Sequence, residues 1–102
     1  MQILLIDDEL EILRAIHRVI KRHTDHNTLM LQGIDCPTEL EGLSFDLIIT
    51  DQRMPGLSGT DILHHLARQN HPAKRILLSA YTDFNNVVTS FNNLKSRLTL
   101  GM

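Results

Sequence analysis

Three short apolar runs, each followed directly by a polar residue, constrain this chain more than any other feature of its sequence. Unbroken apolar runs of this length are typical of strands that are buried on both faces of a parallel sheet. We therefore predict strands whose carboxyl ends carry polar side chains. The runs lie within the predicted strands, residues 3–6, 46–50 and 75–78, and the polar residues that follow these strands are Asp7, Asp8, Asp51 and Ser79.

Helical periodicity fills the segments between these strands. Ile12, Ile16 and Ile20 belong to an apolar stripe over residues 9–22, with charged residues between its members. Strands that alternate with helices imply right-handed βαβ units, so the predicted fold class is α/β, with a doubly wound parallel sheet. The other predicted elements are a strand over residues 28–32, a brief helix opened by Pro37, a helix over residues 59–68 capped by Ser58, and a helix over residues 83–94.

The size and charge of the chain limit the kind of function that it can have. A chain of 102 residues suits one domain with one core, so we look for a single site. Its 10 basic and 12 acidic residues include no run of Lys or Arg, which argues against direct contact with nucleic acid. No apolar stretch approaches the roughly 18 residues that cross a bilayer, and residues 1–6 do not resemble a signal peptide. We therefore expect no contact with a membrane.

The cysteine and the histidines suggest no second site. Cys36 is the only cysteine, which excludes an intrachain disulfide and favours a reducing compartment, so we expect a cytoplasmic location. We interpret Cys36 as a packed, inert thiol, although its place near a helix start could also make it reactive. The pairs His23 with His26 and His64 with His65 are interpreted as solvated residues rather than metal ligands, because adjacent helical side chains diverge by about 100°.

The acidic residues after the first and third strands predict a metal site. Ligands of an open parallel sheet bind beyond the carboxyl ends of its strands, where Asp7, Asp8, Asp51 and Ser79 should meet. Crowded carboxylates have raised pKa values and cost stability unless a cation is present. Magnesium prefers oxygen ligands and commonly serves sites that handle phosphoryl groups. The sequence therefore predicts Mg²⁺ at this edge.

Three stretches around the predicted site form a specific signature. They are Ile6-Asp7-Asp8-Glu9, Ile49-Thr50-Asp51-Gln52-Arg53-Met54-Pro55-Gly56-Leu57-Ser58-Gly59 and Leu78-Ser79-Ala80. From residue 1 to about residue 93, the chain resembles the receiver domain of bacterial two-component response regulators. The resemblance implies a flavodoxin-like, CheY-like fold with the strand order 2-1-3-4-5.

The same resemblance implies a role for each site residue. Asp51 would be the phosphoacceptor, taking a phosphoryl group from a histidine kinase or phosphotransfer protein to give an aspartyl phosphate. Asp8, Asp51 and the backbone carbonyl of Arg53 would ligate Mg²⁺, while Asp7 would orient a metal-bound water. Ser79 would bind the phosphoryl group and report its presence. Such a domain is a signalling module that catalyses only its own phosphorylation and dephosphorylation.

The C-terminal sequence departs from the receiver pattern. Receiver domains carry a lysine, usually before a proline, at the end of a fifth strand that precedes a last helix, whereas Leu100 and Gly101 stand at those positions here. We therefore expect residues 1–102 to form one receiver domain that is truncated at its C-terminal end. The helix over residues 9–22 would then cover its face of the sheet alone. Apolar surface left exposed on that face would favour a homo-oligomer.

Simpler interpretations of the site residues stay open. Asp8 with Glu11 could form a variant of the helix capping box. Asp51, before Pro55 and Gly56, could be only a turn residue. Two other functions also remain: a pseudo-receiver that docks partners without phosphate, and a metal-dependent phosphohydrolase. The second usually needs a cap or an extra segment, for which 102 residues leave no room.

Overall fold

A four-stranded parallel sheet organises residues 1–78, which are the part of the chain that this computed structural model describes. The sheet has the order β2-β1-β3-β4, and each neighbouring pair is parallel. The predicted α/β fold is therefore confirmed, and the order agrees with the first four strands of the flavodoxin-like arrangement. The strands are β1 (Gln2–Ile6), β2 (Asn27–Leu31), β3 (Leu47–Asp51) and β4 (Lys74–Leu78).

The helices connect these strands and begin and end close to the predicted residues. Helix α1 (Leu10–His23) joins β1 to β2, and helix α2 (Gly59–Arg68) joins β3 to β4. The brief helix opened by proline is a 3-10 helix, Pro37–Leu40. The predicted helix over residues 83–94 lies outside the described residues. Among the described residues, no helix has the length and apolar character that crossing a membrane requires.

Apolar side chains fill both sides of the sheet. Successive residues of a strand point to opposite faces, so an unbroken apolar run supplies both layers of a core. One cluster packs against α1 and the other against α2 and the 3-10 helix. The first consists of Ile3, Leu5, Leu13, Ile16, Ile20, Leu47, Ile49, Ile76 and Leu78, and the second of Leu4, Ile6, Ile34, Leu40, Phe45, Ile48, Ile62, Leu63, Leu66 and Ala73.

The prediction that the α1 face of the sheet is exposed is wrong. Ile3 of β1 and Ile49 of β3 point to that face, and they are 0% and 1% exposed. Leu13, Ile16 and Ile20 of α1 are buried in the same cluster. Because this aliphatic stripe packs directly on the inner strands, their apolar surface is already out of water. The predicted homo-oligomer through this face therefore loses its physical basis.

The parallel register places the ends of β1, β3 and β4 side by side. Ile6, the residue before Asp7, pairs with Thr50, the residue before Asp51. Asp51 in turn pairs with Leu78 of β4. The residues that follow β1 and the residue that ends β3 are consequently neighbours at the carboxyl edge.

Candidate functional site

Three carboxylates meet at the carboxyl edge of the sheet. Asp7 and Asp8 follow β1, Asp51 is the last residue of β3, and one ligand oxygen from each lies within 4.8 Å of the other two. Asp7 is 5% exposed, Asp51 is partly buried, and Asp8 is exposed. The predicted convergence of the three acids is therefore confirmed. Their different burial gives the cluster a protein side and a side that faces solvent.

Asp7 forms the buried side of the cluster. Its Oδ1 accepts a hydrogen bond from the backbone N–H of Glu9 at 2.8 Å, and its own N–H donates to the carbonyl of Leu31 at 3.1 Å. Burial raises the pKa of Asp7 from 3.8 to about 6, and the neighbouring charge of Asp51 adds to the rise, while the hydrogen bond from Glu9 opposes it. Without a cation, Asp7 therefore titrates in the weakly acidic range.

Asp51 lies in an environment that also disfavours its charge. Burial raises its pKa, and the charges of Asp8 and Glu9 raise it further. The backbone N–H groups of Gln52 and Arg53 lower the pKa and so offset part of this effect. The carboxylate that ends β3 is therefore balanced between like-charged neighbours and amide donors, and an added cation would favour its ionised form.

The donor set fits a hard divalent cation. Oxygens that ligate one magnesium ion at about 2.1 Å lie at most about 4.2 Å apart. The carboxylate oxygens of Asp7, Asp8 and Asp51 are within 4.8 Å of one another, so small side-chain rotations or a bridging water would bring them to one ion. Carboxylates with raised pKa values indicate a site that is incomplete without positive charge.

The loop between β3 and α2 is bonded closely to the start of the helix. Ser58 caps α2 as predicted, because its Oγ accepts from the N–H of Asp61 at 3.1 Å while the Asp61 carboxylate accepts from the N–H of Ser58 at 3.3 Å. The backbone carbonyl of Gln52 accepts from the N–H of Gly59 at 3.2 Å. Its side-chain Oε1 accepts from the N–H and hydroxyl of Thr60 at 2.8 and 2.7 Å. Gln52 and Ser58 thus bind the first free N–H groups of α2.

Gly59 allows α2 to start in direct contact with the end of β3. A Cβ atom built at this position would overlap the backbone carbonyl oxygen of Asp51 and would lie 2.6 Å from Cδ1 of Leu77. No side chain larger than hydrogen therefore fits without a shift of the backbone. Sequence reasoning missed the roles of Gln52, Thr60 and Gly59. Only Gly59 carried a signal, since glycine is an unfavourable residue in the first turn of a helix.

The structure also decides some of the alternatives for the acidic residues. Helix α1 starts at Leu10 with Glu9 in the N-cap position and no side-chain hydrogen bond to the helix end, so the capping box of Asp8 with Glu11 is wrong. The carboxylate of Asp8 is consequently not used by the helix. Arg53 is exposed in the loop after Asp51, and its carbonyl as a metal ligand stays a prediction. Ser79, Leu100 and Gly101 lie outside the described residues.

Histidine and cysteine contribute no second metal cluster within residues 1–78. The three aspartates are the one group of three or more His, Cys, Asp or Glu residues there whose ligand atoms lie close enough to hold an ion.

The interpretation of Cys36 as a packed thiol is wrong, since its side chain is exposed at the start of the 3-10 helix. Leu40 at the other end of that helix, rather than Cys36, reaches the core. The hydroxyl of Thr38 donates to Sγ of Cys36 at 3.1 Å and lowers the pKa of the thiol.

The acidic site and the fold that carries it agree with a comparison against known families. Residues 3–94 match the family described as the response regulator receiver domain. The chain belongs to this family. It is a receiver domain of two-component signalling, and receiver domains in general bind Mg²⁺ at an acidic pocket and interact with histidine kinases or phosphotransfer proteins.

Individual relatives of the receiver support the same assignment. The chain is 30% identical over 91 residues to the hydrogenase transcriptional regulatory protein HoxA of Bradyrhizobium diazoefficiens. The match covers 88% of this chain and 18% of that protein. The receiver thus spans less than a fifth of the length of this relative. Among solved structures, a response regulator receiver domain protein from Clostridium thermocellum has a TM-score of 0.64 at 28% identity, covering 89% of this chain and 74% of that one. An uncharacterised protein from Neptuniibacter caesariensis has a TM-score of 0.68 at 30% identity, covering 90% and 68%.

Proposed function

We propose that Asp51 is the residue that accepts the phosphoryl group and that residues 1–102 act as one receiver domain. The observation that carries the proposal is the position of Asp51 at the end of β3, with its carboxylate within 4.8 Å of Asp7 and Asp8. A residue that served only to form a turn would have no reason to share a pocket with two other acids. Asp51 is also the member of the cluster that is accessible yet partly buried, as a nucleophile must be.

The proposed reaction is a transfer between two side chains. A carboxylate oxygen of Asp51 attacks the phosphorus of a phosphohistidine, a P–O bond forms, and the P–N bond breaks with its electron pair left on the donor imidazole. Attack of water on phosphorus later cleaves the aspartyl phosphate to inorganic phosphate and restores the carboxylate. Asp51 reacts in its ionised form, which the backbone N–H groups of Gln52 and Arg53 favour. These two reactions are the only chemistry that we assign to the domain.

We also propose that Asp8, Asp51 and the carbonyl of Arg53 ligate Mg²⁺ and that Asp7 orients a water bound to the ion. When bound, the ion supplies positive charge that stabilises the phosphoryl oxygens during transfer. Asp7 suits a role in which it binds the water rather than the ion, because one of its oxygens already accepts the hydrogen bond from the N–H of Glu9. The role assigned to Ser79, a hydrogen bond to the phosphoryl group, completes the proposed site.

The surface beside Asp51 supports docking of a protein that bears phosphohistidine. An open cavity of about 700 Å³ borders the loop that follows Asp51, and Asp8 faces solvent at the same edge of the sheet. The cavity is lined by Gln52, Arg53, Met54, Pro55 and Ser58.

We propose that the domain meets its phosphohistidine-bearing partner in the cytoplasm, because the single exposed thiol, Cys36, would stay reduced there.

Phosphorylation by a small phosphodonor tests the assignment of Asp51. Incubation with Mg²⁺ and acetyl phosphate, followed by mass spectrometry, should add one phosphoryl group that hydroxylamine removes. Asp51→Asn should abolish the adduct, because an amide cannot act as the nucleophile. Asp25→Asn is the matched control: this exposed acid lies beyond the far end of α1, and its loss should leave the adduct unchanged. An adduct that persists in Asp51→Asn would refute the assignment, and no adduct on the unchanged chain would favour a pseudo-receiver.

Magnesium binding tests the metal site independently of transfer. Mg²⁺ should raise the midpoint of thermal unfolding, because it relieves the repulsion among Asp7, Asp8 and Asp51. Asp8→Asn should weaken this effect markedly, whereas Asp25→Asn should not. A midpoint that is the same with and without Mg²⁺ would contradict the site.

A further inference from the structure

The residue that follows Asp51 is held in place from three directions. The backbone N–H of Gln52 donates to the carbonyl of Leu78 at 2.9 Å, which extends the pairing of β3 with β4 beyond Asp51. Its carbonyl accepts from the N–H of Gly59 at 3.2 Å. Its side-chain Oε1 accepts from both the N–H and the hydroxyl of Thr60. Gln52 therefore links the end of β3 to the end of β4 and to the first turn of α2.

The orientation of the Gln52 amide follows from its partner. The backbone N–H of Thr60 can only donate, so the amide atom 2.8 Å away must be the oxygen rather than the nitrogen. The hydroxyl of Thr60, at 2.7 Å, then directs its hydrogen to the same oxygen. The side chain of Gln52 thus acts as a cap for α2 from outside the helix, beside the cap that Ser58 provides.

This link bears directly on Asp51 through the main chain. Gln52 is joined directly to Asp51, and its own N–H and carbonyl are both fixed by hydrogen bonds, to Leu78 and Gly59, in the segment that its side chain ties to α2. A segment that is free at this point could rotate the peptide groups away from the carboxylate. The cost would appear at Asp51, although the Gln52 side chain contacts α2 and not the reacting atoms.

We propose that Gln52 is a positioning residue of the phosphoacceptor site, whose contact with Thr60 holds the peptide groups after Asp51 in the geometry that phosphorylation requires. This inference rests on the proposed function of Asp51 and goes beyond it, because it assigns a catalytic effect to a side chain outside the acidic cluster. Loss of the contact should lower the phosphorylation rate of the folded protein, beyond any effect on the midpoint of unfolding. Thr60 contributes through its hydroxyl, and Gln52 through the shared acceptor.

The test compares Gln52→Met, which keeps the length of the side chain but has no strong acceptor, with Thr60→Val, which removes only the hydroxyl. With Mg²⁺ and acetyl phosphate at saturation, Gln52→Met should lower the phosphorylation rate by about two-fold to ten-fold, the loss expected for hydrogen bonds of ordinary strength. Thr60→Val should have a smaller effect in the same direction. Because both act through one contact, the double variant should be no slower than Gln52→Met.

A matched control separates positioning from general stability. The hydroxyl of Thr24 also makes two hydrogen bonds, to the carbonyl of Ile20 at 2.9 Å and from the N–H of His26 at 3.1 Å, but at the far end of α1. Thr24→Ala should lower the unfolding midpoint and leave the phosphorylation rate of the folded protein unchanged.

The outcomes distinguish this inference from the function on which it rests. If the unchanged chain is phosphorylated and Gln52→Met has the same rate and the same Mg²⁺ affinity, the inference is overturned while the function of Asp51 stands. A lower midpoint without a lower rate, as in Thr24→Ala, would equally overturn it. If Gln52→Met does not fold, Thr60→Val with an unchanged rate would refute it instead. No adduct on the unchanged chain would overturn the proposed function and this inference with it.

Discussion

The two connections at the acidic site, the turn between β1 and α1 that carries Asp7 and Asp8 and the loop between β3 and α2 that follows Asp51, are held in place by different means. The turn comprises residues 7–9, and its single side-chain bond joins the Asp7 carboxylate to the N–H of Glu9. The loop comprises residues 52–58 and is fixed by Gln52 and Ser58, which bind the start of α2. Helix α1 has no comparable side-chain cap.

This difference follows from the length of the two connections. A short turn between a buried strand and a packed helix has little freedom left, so burial is sufficient to place Asp7. A longer loop retains more backbone entropy and needs specific bonds to adopt one conformation. Burial therefore places Asp7 of the turn, at the expense of a raised pKa, whereas hydrogen bonds hold the loop that follows Asp51. Variants that change the burial of Asp7 should therefore affect the turn, whereas variants that remove hydrogen bonds or contacts at the start of α2 should affect the loop.

The largest effect on stability is expected for Gly59→Ala, which disrupts the contact between the start of α2 and the end of β3. Alanine in a helix is normally better than glycine by about 0.5–1 kcal/mol. Here the new Cβ would overlap the carbonyl of Asp51, which belongs to the backbone and cannot rotate away. We expect the free energy of unfolding to fall by about 2–3 kcal/mol. Chemical denaturation measures this change, and a stabilised protein would show that α2 can retreat from β3.

Gly33→Ala provides the control for that comparison. Gly33 has a φ of +91°, but a Cβ atom there would meet nothing within 4 Å. Alanine should therefore cost only the backbone strain of a positive φ, about 1–2 kcal/mol. Phosphorylation should fall in Gly59→Ala and stay unchanged in Gly33→Ala, because only the first displaces the end of β3.

The pH dependence of stability tests the burial of Asp7 in the turn. Because folding raises the pKa of Asp7 from 3.8 to about 6, the folded state holds the proton more tightly than the unfolded state. This contribution to stability is present below the ordinary pKa and is lost as the pH rises through about 6. In buffer free of Mg²⁺, the free energy of unfolding should fall by about 1–2 kcal/mol over that interval. Asp51, whose pKa is also raised, acts in the same direction.

Two variants show whether Asp7 causes this slope. Asp7→Asn should flatten the decline and should make the metal-free protein more stable at neutral pH, since an amide carries no charge to bury. Asp25→Asn removes an exposed acid and should leave the slope unchanged. Urea titrations at several pH values measure both. Stability that rises between pH 4 and pH 7 without Mg²⁺ would contradict the raised pKa of Asp7.

The smallest effects are expected at the helix caps, where the two connections can be compared directly. Ser58→Ala removes the acceptor for the N–H of Asp61 and should cost about 1 kcal/mol. Glu9→Ala alters the N-cap position of α1, which makes no side-chain hydrogen bond, and should change stability by less than about 0.5 kcal/mol. If the two variants lowered the midpoint of thermal unfolding equally, the two helix starts would be held in the same way.

The sequence by itself determined the elements, their order and the convergence of Asp7, Asp8 and Asp51. These features follow from local rules: an unbroken apolar run specifies a buried strand, helical periodicity specifies a helix with one apolar face, and parallel strands bring their carboxyl ends to one edge. The acids adjoin such runs directly, so their positions could be predicted without coordinates. Ser58 was predicted as a cap by another local rule, since serine is preferred just before the first residue of a helix.

Only the tertiary structure decided which contacts hold the site. Gln52 and Thr60 are eight residues apart and meet because the loop folds back on β3, which no periodicity indicates. The burial of one sheet face under α1, which contradicts the expected exposed face, depends on how Leu13, Ile16 and Ile20 pack onto the inner strands. The capping box of Asp8 failed because α1 starts one residue later than its pattern required. Packing, rather than local preference, fixes these distances, and packing is a property of the whole fold.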